Sequence, residues 1–290
     1  MKHTLTRHGF YAAALSVLLA AQLALTACVG VQFGNSARVE TPAELPPLAQ
    51  QVLAPQGVLK VGVYLGSPTS WVKDAQTGAS LGVAFELGHA LAQQLQVPVQ
   101  VVQFPRVAEV IEALKAGQVD MTFTNATAAR AKEVDFTPPL IQLELGVLVP
   151  RSSSIRSFAD VDKAGMRLGV SQGSSSQGVL GQRLKQATLV PVPALTQVQQ
   201  MLASRQLDAF ATNKGILFEL AEKMPDMHVL ADNWGVENLA IAIPKGRAAA
   251  MPYLLDFAQQ AQQTGQLSQM ARRAGLRGMV PTGAAVLERK

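Results

Sequence analysis

The sequence predicts an α/β architecture of two similar lobes, and three observations carry that prediction. Apolar, β-branched runs of strand length alternate with segments of helical spacing along most of the chain. A helix–turn–strand segment occurs twice, at residues 111–125 and 199–213. Cys28 is the only cysteine, so no disulfide framework is available and burial of apolar surface must hold the fold.

The ordered part is expected to open with Leu59-Lys-Val-Gly-Val-Tyr64, an apolar run typical of a buried strand. Val83 to Leu95 carries Phe85, Leu87, Ala90, Leu91 and Leu95 at helical spacing. Val99 to Phe104 reads as a strand, Val107 to Ala116 as a helix closed by Gly117, and Val119 to Thr124 as the next strand. Further strands are expected at Leu145 to Val149, Arg167 to Val170, Leu189 to Val192, Asp208 to Ala211, His228 to Leu230 and Leu239 to Ile243. Helices are expected at 176–186, 195–204, 214–223, 249–263 and 266–274. Alternation of this kind argues for mainly parallel sheets.

The repeat aligns without a gap. Leu114/Leu202, Gln118/Gln206, Asp120/Asp208, Thr124/Thr212 and Asn125/Asn213 are identical, and Val119 matches Leu207. Each copy is a helix, a tight turn and a strand ending in Thr-Asn. Ligands of open α/β sheets bind outside the carboxyl ends of strands. Two lobes that face each other through such ends make a cleft.

The N-terminus has a separate logic. Lys2 and Arg7 precede an apolar run from Phe10 to Leu25, broken only by Ser16 and Gln22. That run falls short of the roughly 20 residues a membrane span needs, and with its basic start and small-residue end it reads as a secretory signal. It finishes in Leu25-Thr-Ala-Cys28, which resembles the bacterial lipobox, where the cysteine is diacylated and becomes the first residue of the mature protein. Two acyl chains suffice for stable anchoring. Val29 to Pro55, rich in small and polar residues with Pro42, Pro46, Pro47 and Pro55, reads as a tether. Without Lys2 and Arg7, 23 basic residues stand against 20 acidic ones, a net charge of +3 with no Lys/Arg block. Nucleic acid is therefore excluded as a partner.

Six segments in order resemble the bacterial extracellular solute-binding proteins of family 3, the periplasmic amino-acid class. They are Leu59–Val63, Gly82–Leu87, Ile111–Asp120, Thr127–Arg130 with Val134–Pro139, Arg167–Ser175 and Leu207–Ala209. The resemblance spans about Gly57 to Ala274. It implies a periplasmic-binding-protein-like fold of type II, with two crossover strands near 145–148 and 235–240. The expected organisation is a lipoprotein signal (1–27), a tether (28–55), a first lobe (56–146), a second lobe (147–236), and a return to the first lobe with C-terminal helices (237–290). Capture of one small-molecule ligand by lobe closure, and delivery to an ABC transporter permease, are implied. The expected form is a monomer without cofactor or metal, anchored through Cys28 and facing the periplasm.

Arg130 offers a planar fork of donors suited to a carboxylate and falls at the family's carboxylate-binding position; the alternative is a surface arginine. Thr127 and Asn125 are expected to add neutral hydrogen bonds. Ser174 and Ser175 sit between a strand and a helix, where free N–H groups favour an anion and where a serine also serves as a plain N-cap. Trp71 is open between an aromatic cover over the ligand and a core residue. Asn213 departs from the family, whose members usually place an acid there to meet an α-ammonium group. Ala84 and Leu140 depart as well, and the Asp120–Arg130 segment is short. The ligand is thus either an organic acid, with Asn213 reading an uncharged polar group, or an amino acid whose ammonium is met elsewhere, for instance by Glu144 or Glu237.

Two other functions compete. An enzyme on the same fold, of dehydratase or peptidoglycan-cleaving type, needs a positioned acid–base group. His89 and His228 lie in structural contexts, Glu144 is the best acid, and no Gly-x-Ser-x-Gly elbow or metal-spaced cluster occurs. A sensory binding module without transport is the other.

Overall fold

The computed structural model describes residues 47–280; the signal, Cys28, most of the tether and the last ten residues lie outside them. α1 (Pro47–Leu53) is the first element. Residues 47–54, assigned to the tether above, instead bury Ala49, Leu53 and Ala54 in the first-lobe core. Pro47 is well placed at a helix start, where its missing N–H costs nothing, and the apolar spacing that follows outweighs the proline-rich composition.

β1 (Leu59–Tyr64) forms because its β-branched run is buried on both faces. A short hairpin follows, β2 (Val72–Lys73) with β3 (Ser80–Leu81). α2 (Val83–Gln94) then lays Leu87 and Leu91 on the core, and Gly88 lets the helix approach Val61 more closely than any Cβ would permit. β4 (Val99–Phe104) runs parallel to β1 in full register, from Leu59↔Val99 to Tyr64↔Phe104. α3 (Val107–Lys115) leads through a turn at Gly117 to β5 (Thr122–Asn125), whose approach bridges β1 at Val61↔Met121. β6 (Val134–Phe136) completes the outgoing half of this lobe.

β7 (Ile141–Pro150) crosses to the second lobe. There β8 (Arg167–Ser171), α4 (Ser175–Arg183), β9 (Thr188–Val192), α5 (Leu195–Ala203), β10 (Ala209–Asn213), α6 (Lys214–Lys223) and β11 (Met227–Val229) repeat the pattern. β9, β8 and β10 are parallel, while β10 and β11 run antiparallel to β7. β12 (Gly235–Pro244) returns. Its first half pairs β7, from Gly235↔Leu145 to Leu239↔Ile141, and its second half joins β5 and β6. These two long antiparallel strands are the crossovers of a two-lobed fold. α7 (Met251–Gln263) and α8 (Gln266–Arg273) then pack on the first lobe.

Beyond α8 the chain turns back to the crossovers. Met279 bridges Leu143, Val280 N–H donates to Gln142 and Glu144 N–H donates to the Gly278 carbonyl. Arg277 pairs with Glu222 and lies over Phe218 of α6, in the second lobe. The crossover region is therefore a three-stranded ribbon at residues 142–144.

The internal repeat extends into the hydrogen bonds. Asp120 Oδ2 accepts from the N–H of Lys60, and Asp208 Oδ2 accepts from the N–H of Arg167, each at 2.8 Å. In both copies the aspartate thus pins the turn to the start of a neighbouring parallel strand, at the second residue of β1 and the first of β8. The turns match as well: Gly117 and Arg205 occupy equivalent positions with φ of 66° and 56°. Arg205 tolerates the left-handed region that glycine adopts at low cost.

Candidate functional site

The carboxyl ends of β5 and β10, the N-terminus of α4 and the crossover β12 converge on one cleft. Its walls include Tyr64, Thr69, Thr124, Asn125 and Arg130 from the first lobe, Ser174, Ser175, Thr212 and Asn213 from the second, and Glu237 between them. The enclosed space is about 30 Å³, where one water needs roughly 10–15 Å³.

The lobes are closed on it. Arg106 Nη1 donates to Gln172 Oε1 at 2.7 Å, and Asn125 Nδ2 donates to Ser175 Oγ at 3.1 Å. Tyr64, Val107 and Val110 pack in one apolar cluster with Val192, Leu195 and Val198. A Cβ on Gly173 would stand 2.5 Å from the Cβ of Ala108 on α3, so only glycine permits this approach.

Arg130 begins a short 3-10 turn after β5, and its N–H is held by Thr127 Oγ1 at 3.2 Å. Nη1 donates to Thr124 Oγ1 at 3.0 Å and to the Asn125 carbonyl at 3.2 Å. No carboxylate among the described residues forms an ion pair with this guanidinium, and burial lowers its pKa.

Across the cleft, Glu237 is 7 % exposed. Oε1 accepts from Ser175 Oγ and Oε2 from Asn213 Nδ2, both at 3.1 Å. Burial holds its carboxyl above the ordinary value, against the pull of Arg130 and of the two hydrogen bonds. Tyr64, whose hydroxyl closes a buried network with Ser67 and Thr69, is likewise raised by burial.

The expected site residues fall into distinct places. Arg130, Asn125, Ser174, Ser175 and Asn213 line the cleft together. Ser174 is also the N-cap of α4, accepting from Gln177 N–H. Asn213 is the buried N-cap of α6, with Oδ1 accepting from Ile216 N–H while Nδ2 serves Glu237. Thr127 supports Arg130 from behind and lines a neighbouring groove. Trp71 packs against the first-lobe core beneath Lys73 and is not a wall of the cleft. Of the two glutamates weighed, Glu237 is in the cleft. Glu144 is bound at 2.6 Å to Lys214 and at 3.1 Å to Asn233. Tyr64 and Thr69 are walls that no motif announced. His89 is exposed on α2 and contacts the Phe85 carbonyl, and His228 lies on β11. Among the described residues no group of three or more His, Cys, Asp or Glu converges, and no helix is long and apolar enough to cross a membrane.

Two lobes, paired crossover strands and a closed polar cleft define a two-lobed binding protein. The chain belongs to the bacterial extracellular solute-binding proteins, family 3, whose model matches residues 59–275. It is similar to the glutamine-binding protein of Geobacillus stearothermophilus, 24% identical over 80% of this chain and 92% of that one. It is also 24% identical to the ABC transporter glutamine-binding protein GlnH of Bacillus subtilis, over 65% of this chain and 70% of that one. Among solved structures, a solute receptor for L-cysteine of Neisseria gonorrhoeae superposes with a TM-score of 0.69 at 25% identity, covering 78% of this chain and 92% of that one. These relatives are named as binding proteins or solute receptors, and the family model describes solute-binding proteins.

Proposed function

We propose that the protein captures a small carboxylate-bearing solute between its lobes and delivers it to an ABC transporter permease. The observation that carries this reading is Arg130. Its guanidinium faces the cleft with one nitrogen engaged by neutral oxygens and no anion among the described residues paired to it. A planar fork in that state is matched by a carboxylate. The first turn of α4 opposes it, and N–H groups at a helix start lack partners within the helix. The relatives named for glutamine and L-cysteine support an amino acid or a related organic acid as the ligand.

Closure follows from binding because a ligand that touches both lobes favours only the closed state. The working form is a monomer held at the periplasmic face of a membrane through diacylated Cys28. Intact mass of the membrane fraction tests the anchor: an unmodified Cys28 sinks it. Calorimetry of the mature chain against the L-amino acids and simple organic acids tests the ligand class. Arg130→Ala should weaken the best ligand by about 10- to 150-fold, the value of hydrogen bonds to a charged group. Unchanged affinity refutes the assignment.

A further inference from the structure

Successive side chains of a strand point to opposite faces, and on β12 Glu237 is turned to the cleft. Its neighbours Val236 and Asn238 line a second groove instead. That groove takes Ala126 and Thr127 from the first lobe, Ser176 and Val179 of α4 from the second, and Leu145 and Trp234 from the crossover region. Asn125 and Ser175, joined at 3.1 Å, are walls of both spaces and form the partition between them. The groove measures about 240 Å³, where about 150 Å³ holds a benzene ring.

Three observations describe what would fill it. The walls are neutral: among the described residues no Asp, Glu, Lys or Arg lines it. Val179 and Val236 are 51 % and 42 % exposed, two of the five large apolar side chains that stand exposed among the described residues, and they meet at this one groove. A single polar side chain is spare. Ser176 is 2 % exposed and its Oγ has no hydrogen-bond partner, an arrangement that is costly unless a partner arrives. The side chains of Asn125, Thr127, Ser175 and Asn238 are all engaged.

We infer that this groove is a second ligand site, for a small uncharged amphiphile. Its apolar body lies against Val179, Val236 and Trp234, and one hydroxyl or amide end meets Ser176. A body seated there touches both lobes at once, so it fits the lobe angle of the closed form. It therefore shifts the lobes toward closure. By linkage it raises the affinity for the solute in the cleft by the same factor by which that solute raises its own. The site is allosteric, and it does not depend on which solute the cleft holds.

Trp234 is a built-in reporter. It is one of two tryptophans, and the other, Trp71, packs on the first-lobe core away from the groove. Benzyl alcohol is titrated into the mature Trp71→Phe chain while Trp234 emission is followed, and an inter-lobe distance is read in parallel from paired spin labels. Emission should change saturably, and the closed fraction should rise with no other ligand present. Toluene, which lacks the hydroxyl, should bind about 2- to 13-fold more weakly, and Ser176→Ala should bring benzyl alcohol down to toluene. Benzoate, whose charge finds no partner there, should bind more weakly than benzyl alcohol. Val236→Asp should abolish binding, and Val179→Asp repeats the test from the other lobe should the first variant misfold. A response that never saturates, binding untouched by either aspartate, or a hydroxyl preference that survives Ser176→Ala overturns the inference. So does benzoate binding as tightly as benzyl alcohol, or saturation with no change in the lobe distance.

Discussion

Replacing Gly173 by alanine separates the cost of closing the lobes from the cost of folding them. Gly173 has φ of +72°, and an added Cβ would stand 2.5 Å from the Cβ of Ala108 in the opposite lobe. Methyl carbons ordinarily rest about 3.5–4.0 Å apart, so the lobes must stay roughly 1 Å or more short of full closure. Overpacking of this kind costs about 1–3 kcal/mol. It falls on the closed state alone, because the open lobes do not bring the two residues together. Ligand affinity should therefore fall by about 5- to 150-fold. The left-handed backbone adds strain of roughly 1–2 kcal/mol, but in open and closed forms alike, so it enters stability and cancels from binding. Gly57 supplies the control: its φ is also +72°, and nothing lies within 4 Å of its added Cβ. Gly57→Ala should lower the melting temperature and leave affinity intact, while Gly173→Ala changes both. Calorimetry with the best-binding ligand and a thermal melt of each variant suffice. An affinity within twofold of wild type for Gly173→Ala would refute the closure argument.

The two repeat aspartates should differ sharply in cost. Asp120 is 5 % exposed and its partner Arg247 15 %, at 2.7 Å, so Asp120→Ala should destabilise by about 3–5 kcal/mol as it strands a buried guanidinium. Asp208 and Arg167 are 33 % and 42 % exposed, so Asp208→Ala should cost only about 1–2 kcal/mol in urea denaturation, mostly the lost N–H bond; equal costs would count against the burial argument. Acid stability should depend on Asp160. Hydrogen bonds from Arg156 N–H and from the Ser157 side chain and N–H pull its pKa from 3.8 down to about 2. A depressed acid stabilises the fold above its unfolded pKa and loses that contribution as pH falls through the folded one. Asp160→Asn should accordingly flatten the loss of stability between about pH 4 and pH 2, and an unchanged acid limb would contradict it.

The alternating lobes were legible because their signals are local: apolar runs of strand length, helical spacing, and a repeat whose identical aspartates turn out to make identical backbone bonds. The cleft was legible where the chemistry follows a strand end, as at Asn125, Arg130 and Asn213. Glu237 was harder to place. Its partners come from residues 175 and 213 and its counter-charge from residue 130, so no window of sequence contains its environment. Position 213 shows the opposite effect. Asparagine there looked like the loss of a charge, whereas its amide holds Glu237 of the crossover strand β12 while its oxygen caps α6. Trp71 and Thr127 fell beside the cleft because their directions depend on how the β2–β3 hairpin and the Arg130 turn pack, which spacing does not encode. α1 was hidden by composition, since four prolines nearby outweighed the apolar spacing that seats Leu53 in the core.

The ribbon formed by β7, β12 and residues 278–280 has a mechanical consequence. Two strands side by side twist as readily as they bend, but a third strand, tied to α6 through Arg277, adds width and resists torsion. Such a ribbon works as a flexure with one compliant direction. Lobes swinging on such a flexure would meet in one alignment, with Gly173 against Ala108 and Asn125 against Ser175. A transporter facing this protein would then meet the closed lobes in one fixed relative orientation.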